Sequence, residues 1–232
     1  MYPLVLLPGM NCTADLWAEA FCMDADSEEV ITPTLGEQSM AAQVDALLAE
    51  LPDKFVLAGL SLGAVVAMAL LEIAPERVAG LCVISTNAKP PTPAQHQGWA
   101  DWIRRLDEGA TARDMQESML STLLSSRSLL QSVLVDRVLA MADATGTDLV
   151  RSQLQMQMTR VDLLAGLTEV DAPTLIICGE EDVICPPGFH TEIALATPRS
   201  WLVSMEAGHL LPMERPAELG GVMRFWRARQ GI

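Results

Sequence analysis

Residues 57–67 read L-A-G-L-S-L-G-A-V-V-A. Upstream, Lys54 to Ala58 (K-F-V-L-A) is a short apolar run with the Phe and Val content of a buried strand. Downstream, Ala64 to Ile73 (A-V-V-A-M-A-L-L-E-I) is apolar nearly all round, which predicts a helix packed inside a layered domain; Ala74-Pro75 ends it. The G-L-S-L-G pentapeptide, common by itself, therefore falls at a strand-to-helix corner. A tight corner drives its central residue, Ser61, toward a positive φ. The residues two before and two after must be small, a need that Gly59 and Gly63 meet. The following helix turns its positive end toward Ser61, and the backbone N–H of Leu62 is left free to stabilise an oxyanion.

A serine hydroxyl is a weak nucleophile without a base. The chain has three histidines. His209, in V-S-M-E-A-G-H-L-L-P, lies just past the apolar run Ser200 to Met205. That is a strand's C-terminal end, where open α/β sheets place ligands. His190 (P-P-G-F-H-T-E-I-A) lies early in a predicted helix and His96 (P-P-T-P-A-Q-H-Q-G-W) in a different region; both read as structural or solvated. The carboxylate candidate is Asp182, in the G-E-E-D that follows the predicted strand Ala172 to Cys178. Glu180 and Glu181 share that loop and stand as chemical alternatives, although an acid run on a loop is usually solvated.

The resulting order, Ser61, Asp182, His209, resembles the α/β-hydrolase superfamily over nearly the whole chain. G-L-S-L-G looks like its nucleophile elbow, G-E-E-D like its acid loop and A-G-H like its histidine loop. The resemblance implies that Ser61 is the nucleophile, His209 the general base and Asp182 the group that orients it. It also implies a second oxyanion donor on an early loop. Residues 4–11 read L-V-L-L-P-G-M-N, so that donor is the N–H of Met10. Many members have His-Gly where this chain has Pro8-Gly9; proline removes only its own N–H, so the donor survives. Asn11 reads either as a polar contact near the site or as ordinary turn chemistry. The early Pro-Gly loop and the tail G-H-L-L-P-M-E-R-P look like small bacterial hydrolases akin to enol-lactonases, aryl esterases and meta-cleavage-product hydrolases.

Strand and helix patterns alternate regularly, which predicts a mostly parallel sheet with helices on both faces. Strands are expected near 3–8, 28–33, 54–59, 80–86, 173–178 and 200–205, and helices near 38–50, 62–73, 188–196 and 215–229. The family's usual two opening strands are not expected, because the oxyanion-type loop arrives at residue 8; about six strands remain. Between Asn87 and Leu167 the alternation gives way to helical patterns only. The expected organisation is an α/β-hydrolase core of residues 1–87 and 168–232 and a small helical cap of residues 88–167. The cap would need the body to bury its apolar faces. Its Trp99, Trp102 and Met156 are candidate pocket lining, and Arg160 is a candidate ligand for a substrate carboxylate.

Composition sets the bounds. With 232 residues and 50% hydrophobic content the chain can bury a sizeable core. No apolar run is long enough to span a bilayer. Met1 leads almost directly into the first strand with no basic, then apolar, leader. A cytoplasmic protein without membrane association is expected. The formal charge of −15 argues against nucleic acid and other polyanions. That charge sits on the body: residues 88–167 hold eight Lys/Arg against nine Asp/Glu. Five cysteines (12, 22, 82, 178 and 185) contain no C-x-x-C, which leaves metal and redox sites unsupported, so no metal and no cofactor are expected. The expected partner is a small-molecule substrate, and the expected reaction is hydrolysis of a small to medium carboxylic ester or lactone through an acyl-enzyme. C–C bond hydrolysis, or cofactor-free haloperoxidase or lyase chemistry, is the alternative on the same triad. A non-catalytic binding module is the reading from another class.

Overall fold

The computed structural model describes residues 1–21 and 29–232. Among these the chain builds a six-stranded sheet from β1 (Leu4–Leu7), β2 (Val30–Ile31), β3 (Phe55–Leu60), β4 (Val78–Ile84), β5 (Thr174–Gly179) and β6 (Ser200–Met205). The spatial order is β2-β1-β3-β4-β5-β6 and every pair is parallel. The helices are α1 (Met40–Glu50), α2 (Leu62–Ile73), α3 (Pro93–Asp107), α4 (Ala112–Leu123), α5 (Ser132–Met158), α6 (Leu164–Leu167), α7 (Pro187–Ala196), α8 (Leu211–Glu214) and α9 (Pro216–Gln230).

Every residue of β3, β4 and β5 is buried, which is why these segments read as unbroken apolar runs. Successive side chains still alternate between two cores. Leu6, Ala58, Cys82 and Ile177 point to the face covered by Met223 and Trp226 of α9. Leu7, Leu57, Val83 and Ile176 point to the face covered by α1, α2 and Ile193 of α7. The expected strand near 80–86 runs two residues earlier, because Ser85 takes a φ of 47° and ends the extended run. Of the expected strand at 28–33, Val30 and Ile31 pair with β1, and residue 28 lies outside the described residues.

The segment between β4 and β5 is helical, as its patterns predict. The long α5 is broken into two runs by Gly146 (φ 75°, ψ 165°). Leu134, Val138 and Met141 before the break join the body's core. Val150 and Leu154 after it close a small core with Leu106 and Met115. No helix among the described residues is long and apolar enough to cross a membrane.

Two glycines of this segment separate backbone strain from crowding. Both Gly98, inside α3, and Gly146 have open space around a would-be Cβ, but only Gly146 has a positive φ. Gly98→Ala should raise unfolding stability by about 0.5–1 kcal/mol. Gly146→Ala should lower it by about 1–3 kcal/mol, both read from urea unfolding midpoints.

Candidate active site

The strand order reverses at β1: β2 lies on one side and β3 on the other. The loops leaving β1 and β3 therefore flank a crevice at the carboxyl edge of the sheet, the usual ligand position in such sheets. Ser61 leaves β3 there with φ 52° and ψ −113°. A Cβ on Gly59 would lie 2.4 Å from the backbone of Gly63. A Cβ on Gly63 would lie 2.3 Å from the carbonyl oxygen of Leu7 and 2.6 Å from that of Pro8. The first glycine thus makes room for the second, as the corner requires, while the second makes room for the loop after β1. The Ser61 N–H donates to Ile84 O at 2.9 Å, and the Thr86 hydroxyl donates to Ser61 O at 3.1 Å. Leu62 opens α2, so its N–H has no acceptor within the helix.

Asp182 and His209 are both buried. His209 Nδ1 lies 2.8 Å from Asp182 Oδ2. Asp182 Oδ1 accepts the N–H groups of Ile184 and Cys185, both at 2.9 Å. Of the three acids on this loop, only Asp182 reaches a histidine. Glu180 is exposed. Glu181 accepts from Ser126 N–H at 3.2 Å and from its hydroxyl at 2.9 Å. His96 is exposed and meets Trp99 edge-on. His190 is buried: its Nε2 accepts the Thr86 N–H at 2.9 Å, which leaves the proton on Nδ1 facing Pro186 O.

Ser61 and His209 line one cavity of about 820 Å³, counting its open mouth, and no hydrogen bond joins them among the described residues. Gly9, Met10, Trp99, Met115, Met119 and Arg160 line it too. Three candidate pocket residues lie elsewhere, each for a physical reason. Asn11 (φ 58°) is committed to the helical segment: its N–H donates to Gln153 Oε1 at 2.8 Å, and its Nδ2 donates to Ala112 O and Gln116 Oε1, both at 2.9 Å. Trp102 lines an outer groove instead, with the Arg105 guanidinium 3.7 Å above its ring. Met156 turns into the body's core beside α2.

Cys12 and Cys185 line the cavity as well. Burial pushes both thiols up to about 12, with the charge of Asp182 adding to the effect at Cys185. Cys82 and Cys178 are buried, and Cys22 lies outside the described residues. Burial lowers the pKa of the Arg160 guanidinium, as expected for a desolvated cation.

Three polar residues that the sequence patterns do not single out shape the site. Thr86 and Asn87 follow β4 at the crevice, a position at a strand's C-terminal end that could have flagged them. Buried Glu214 accepts the Gly208 N–H at 2.8 Å with one oxygen, and with the other the Ser125 N–H at 3.1 Å and the Ser125 hydroxyl. It thereby fastens the residue before His209 to the loop after α4. An acid inside the apolar run L-L-P-M-E was its only signal.

A parallel sheet wound this way, with a strained serine at its switch point and a buried Asp–His pair beside it, defines an enzyme of hydrolase type. The chain belongs to the alpha/beta hydrolase family, whose model matches residues 4–220. It is 29% identical over 195 residues, 80% of this chain and 73% of the relative, to BpoC of Mycobacterium tuberculosis, named a non-heme bromoperoxidase. Its fold matches an esterase from Thermogutta terrifontis with a TM-score of 0.87 at 24% identity, covering 99% of this chain and 90% of that one. It also matches the enol-lactonase of Burkholderia xenovorans LB400 with a TM-score of 0.86 at 16% identity, covering 98% and 92%.

His190 gives the site a pH-dependent support. Desolvation holds its pKa below the ordinary 6.5, against smaller opposing effects of Pro186 O and the Asp182 charge. The unfolded chain therefore binds this proton more readily than the native one. The stabilisation is present above about pH 6.5 and is lost as pH falls below it. His190→Gln, which keeps an acceptor for Thr86, should flatten the decline of the urea midpoint between pH 7 and 5 relative to wild type.

Proposed function

We propose that this protein is a serine hydrolase that cleaves a small to medium carboxylic ester or lactone through an acyl-enzyme. The observation that carries the reading is the buried Asp182–His209 pair at 2.8 Å, opening on the cavity that Ser61 enters from its strained turn. In this reading Ser61 attacks the acyl carbonyl. His209 takes its proton through Nε2 and returns it to the leaving group. Asp182 holds the Nδ1 proton and stabilises the imidazolium. The N–H groups of Met10 and Leu62 receive the oxyanion. Water then releases the acid by the same route. Residues 88–167 act as the cap, whose Trp99, Met115 and Met119 face the bound substrate.

The similarity to BpoC favours a second reading, cofactor-free haloperoxidase chemistry on the same serine. Ser61-dependent bromination of an activated methylene compound in the presence of peroxide, bromide and a carboxylate such as acetate, whose acyl group the serine would pass to peroxide, tests it.

Hydrolysis of 4-nitrophenyl esters across acyl lengths, run beside Ser61→Ala and Asp182→Asn, tests the main reading. Each substitution should lower kcat/KM by on the order of 10³-fold or more with the fold intact by circular dichroism. The optimum chain length should fall within the short to medium acyl range. Ester hydrolysis that survives Ser61→Ala undiminished would remove the serine mechanism.

A further inference from the structure

The cavity that holds Ser61 and His209 has a charged corner. Arg160, two residues past the end of α5, is 9% exposed and lines that corner with Asn87 and Gln157. Its Nη2 donates to Asn87 Oδ1 at 2.7 Å and to Lys89 O at 2.9 Å, and its Nη1 donates to Gln157 Oε1 at 3.2 Å. All three acceptors are neutral. The Nε–H is buried and has no acceptor among the described residues. Among the described residues no carboxylate forms an ion pair with Arg160, whereas Arg104, Arg113, Arg137 and Arg151 each pair with an acid at the surface.

This arrangement is unusual on physical grounds. A guanidinium stays charged in any protein environment. Neutral acceptors fix its orientation but do not cancel its charge, and a buried charge without a counter-charge is unfavourable. The chain carries 30 Asp/Glu against 15 Lys/Arg, so an acidic partner was readily available in composition. The cavity is the side from which a counter-charge can enter, since Arg160 and two of the groups that hold it form part of its wall. The acidic body would repel an anion at long range, but the near-neutral segment over residues 88–167 would not.

We propose that Arg160 binds a free carboxylate carried by the substrate, so that the natural ester or lactone is itself an anion. The proposal rests on the hydrolase reading above and narrows its substrate class. Its rival is a purely structural Arg160 that ties the end of α5 to the exit from β4.

Two matched esters separate these roles: 4-nitrophenyl hydrogen glutarate, and 4-nitrophenyl 5-methylhexanoate, similar in shape but neutral. Wild type should favour the anionic ester in kcat/KM by on the order of 10- to 100-fold, the range of a charge-assisted hydrogen bond. Arg160→Gln should collapse that ratio toward one, and Arg160→Lys should leave it in between. The ratio cancels any general loss of activity. A second arm needs no turnover. Calorimetry of Ser61→Ala with glutarate should show saturable binding, weaker for glutaramide and lost in the Ser61→Ala/Arg160→Gln double variant. If no ester is cleaved but glutarate still binds through Arg160, the ester reading fails and the anion subsite stands. If Arg160→Gln does not fold, the Lys variant and glutarate binding to Ser61→Ala decide. A wild-type ratio at or below one, a ratio unmoved by substitution, or glutarate binding no better than glutaramide overturns the proposal.

Discussion

The contact between Gly63 and the carbonyl oxygens of Leu7 and Pro8 is the constraint on which the site depends. β1 and β3 are neighbours in register, with Leu7 opposite Gly59. The helix that leaves β3 must start at once and pass directly over the end of β1. Any side chain at position 63 would meet backbone, which cannot rotate away. Glycine lets the two loops touch, and that touch sets the rest. It lets α2 start at the crevice, next to the turn where Ser61 takes a φ of 52°, and brings the loop carrying Met10 alongside. The start of α2 at Leu62 and the loop carrying Met10 thus meet at one steric contact between backbones, not through side-chain preference.

Around that contact the helical segment is held by two kinds of force. Apolar burial supplies the bulk: Leu134, Val138 and Met141 share the body's core. Burial of this kind is non-directional and tolerates sliding. Direction comes from polar ties. Asn11 reaches Ala112 and Gln116, Glu181 reaches Ser126, and Glu214 reaches Ser125. Each tie joins a residue near the site, on a loop or at the end of α8, to α4 or to the turn after it. A buried carboxylate with missing donors would be worse than an apolar residue. Glu214 therefore fixes one arrangement in which Gly208 and Ser125 are both within reach, and it fixes the approach of His209 with them.

The sequence is legible where a residue's role follows from its place along the chain. Ser61, Asp182 and His209 each follow a strand, and strand ends converge on one edge of a parallel sheet whatever the details of packing. Legibility fails where a role depends on rotation about a helix axis or on a partner distant in sequence. Met156 lies in the last turn of α5 and Arg160 two residues past its end, yet one enters the body's core and the other the cavity wall. Asn11 looks like a turn residue or a pocket residue, and its partners at positions 112, 116 and 153 are not announced by any local pattern. Glu214 is hidden for the same reason, since its burial is decided by Ser125, 89 residues away in sequence.

The cavity also answers why a serine, and not a cysteine, is the proposed nucleophile. Cys12 and Cys185 line the same space, and a thiolate is intrinsically the stronger nucleophile. Both thiols are pushed up to about 12 by burial, so thiolate is scarce at neutral pH. For Cys185 the Asp182 carboxylate raises the cost of ionisation further, and neither cysteine hydrogen-bonds to a histidine among the described residues. The hydroxyl of Ser61 needs no prior ionisation if His209 takes its proton during attack, and the charge then developing on the imidazole faces the Asp182 oxygen at 2.8 Å. Burial, with the Asp182 charge adding to it, thus keeps the Cys185 thiol protonated, so the carboxylate that faces His209 Nδ1 also disfavours the competing thiolate.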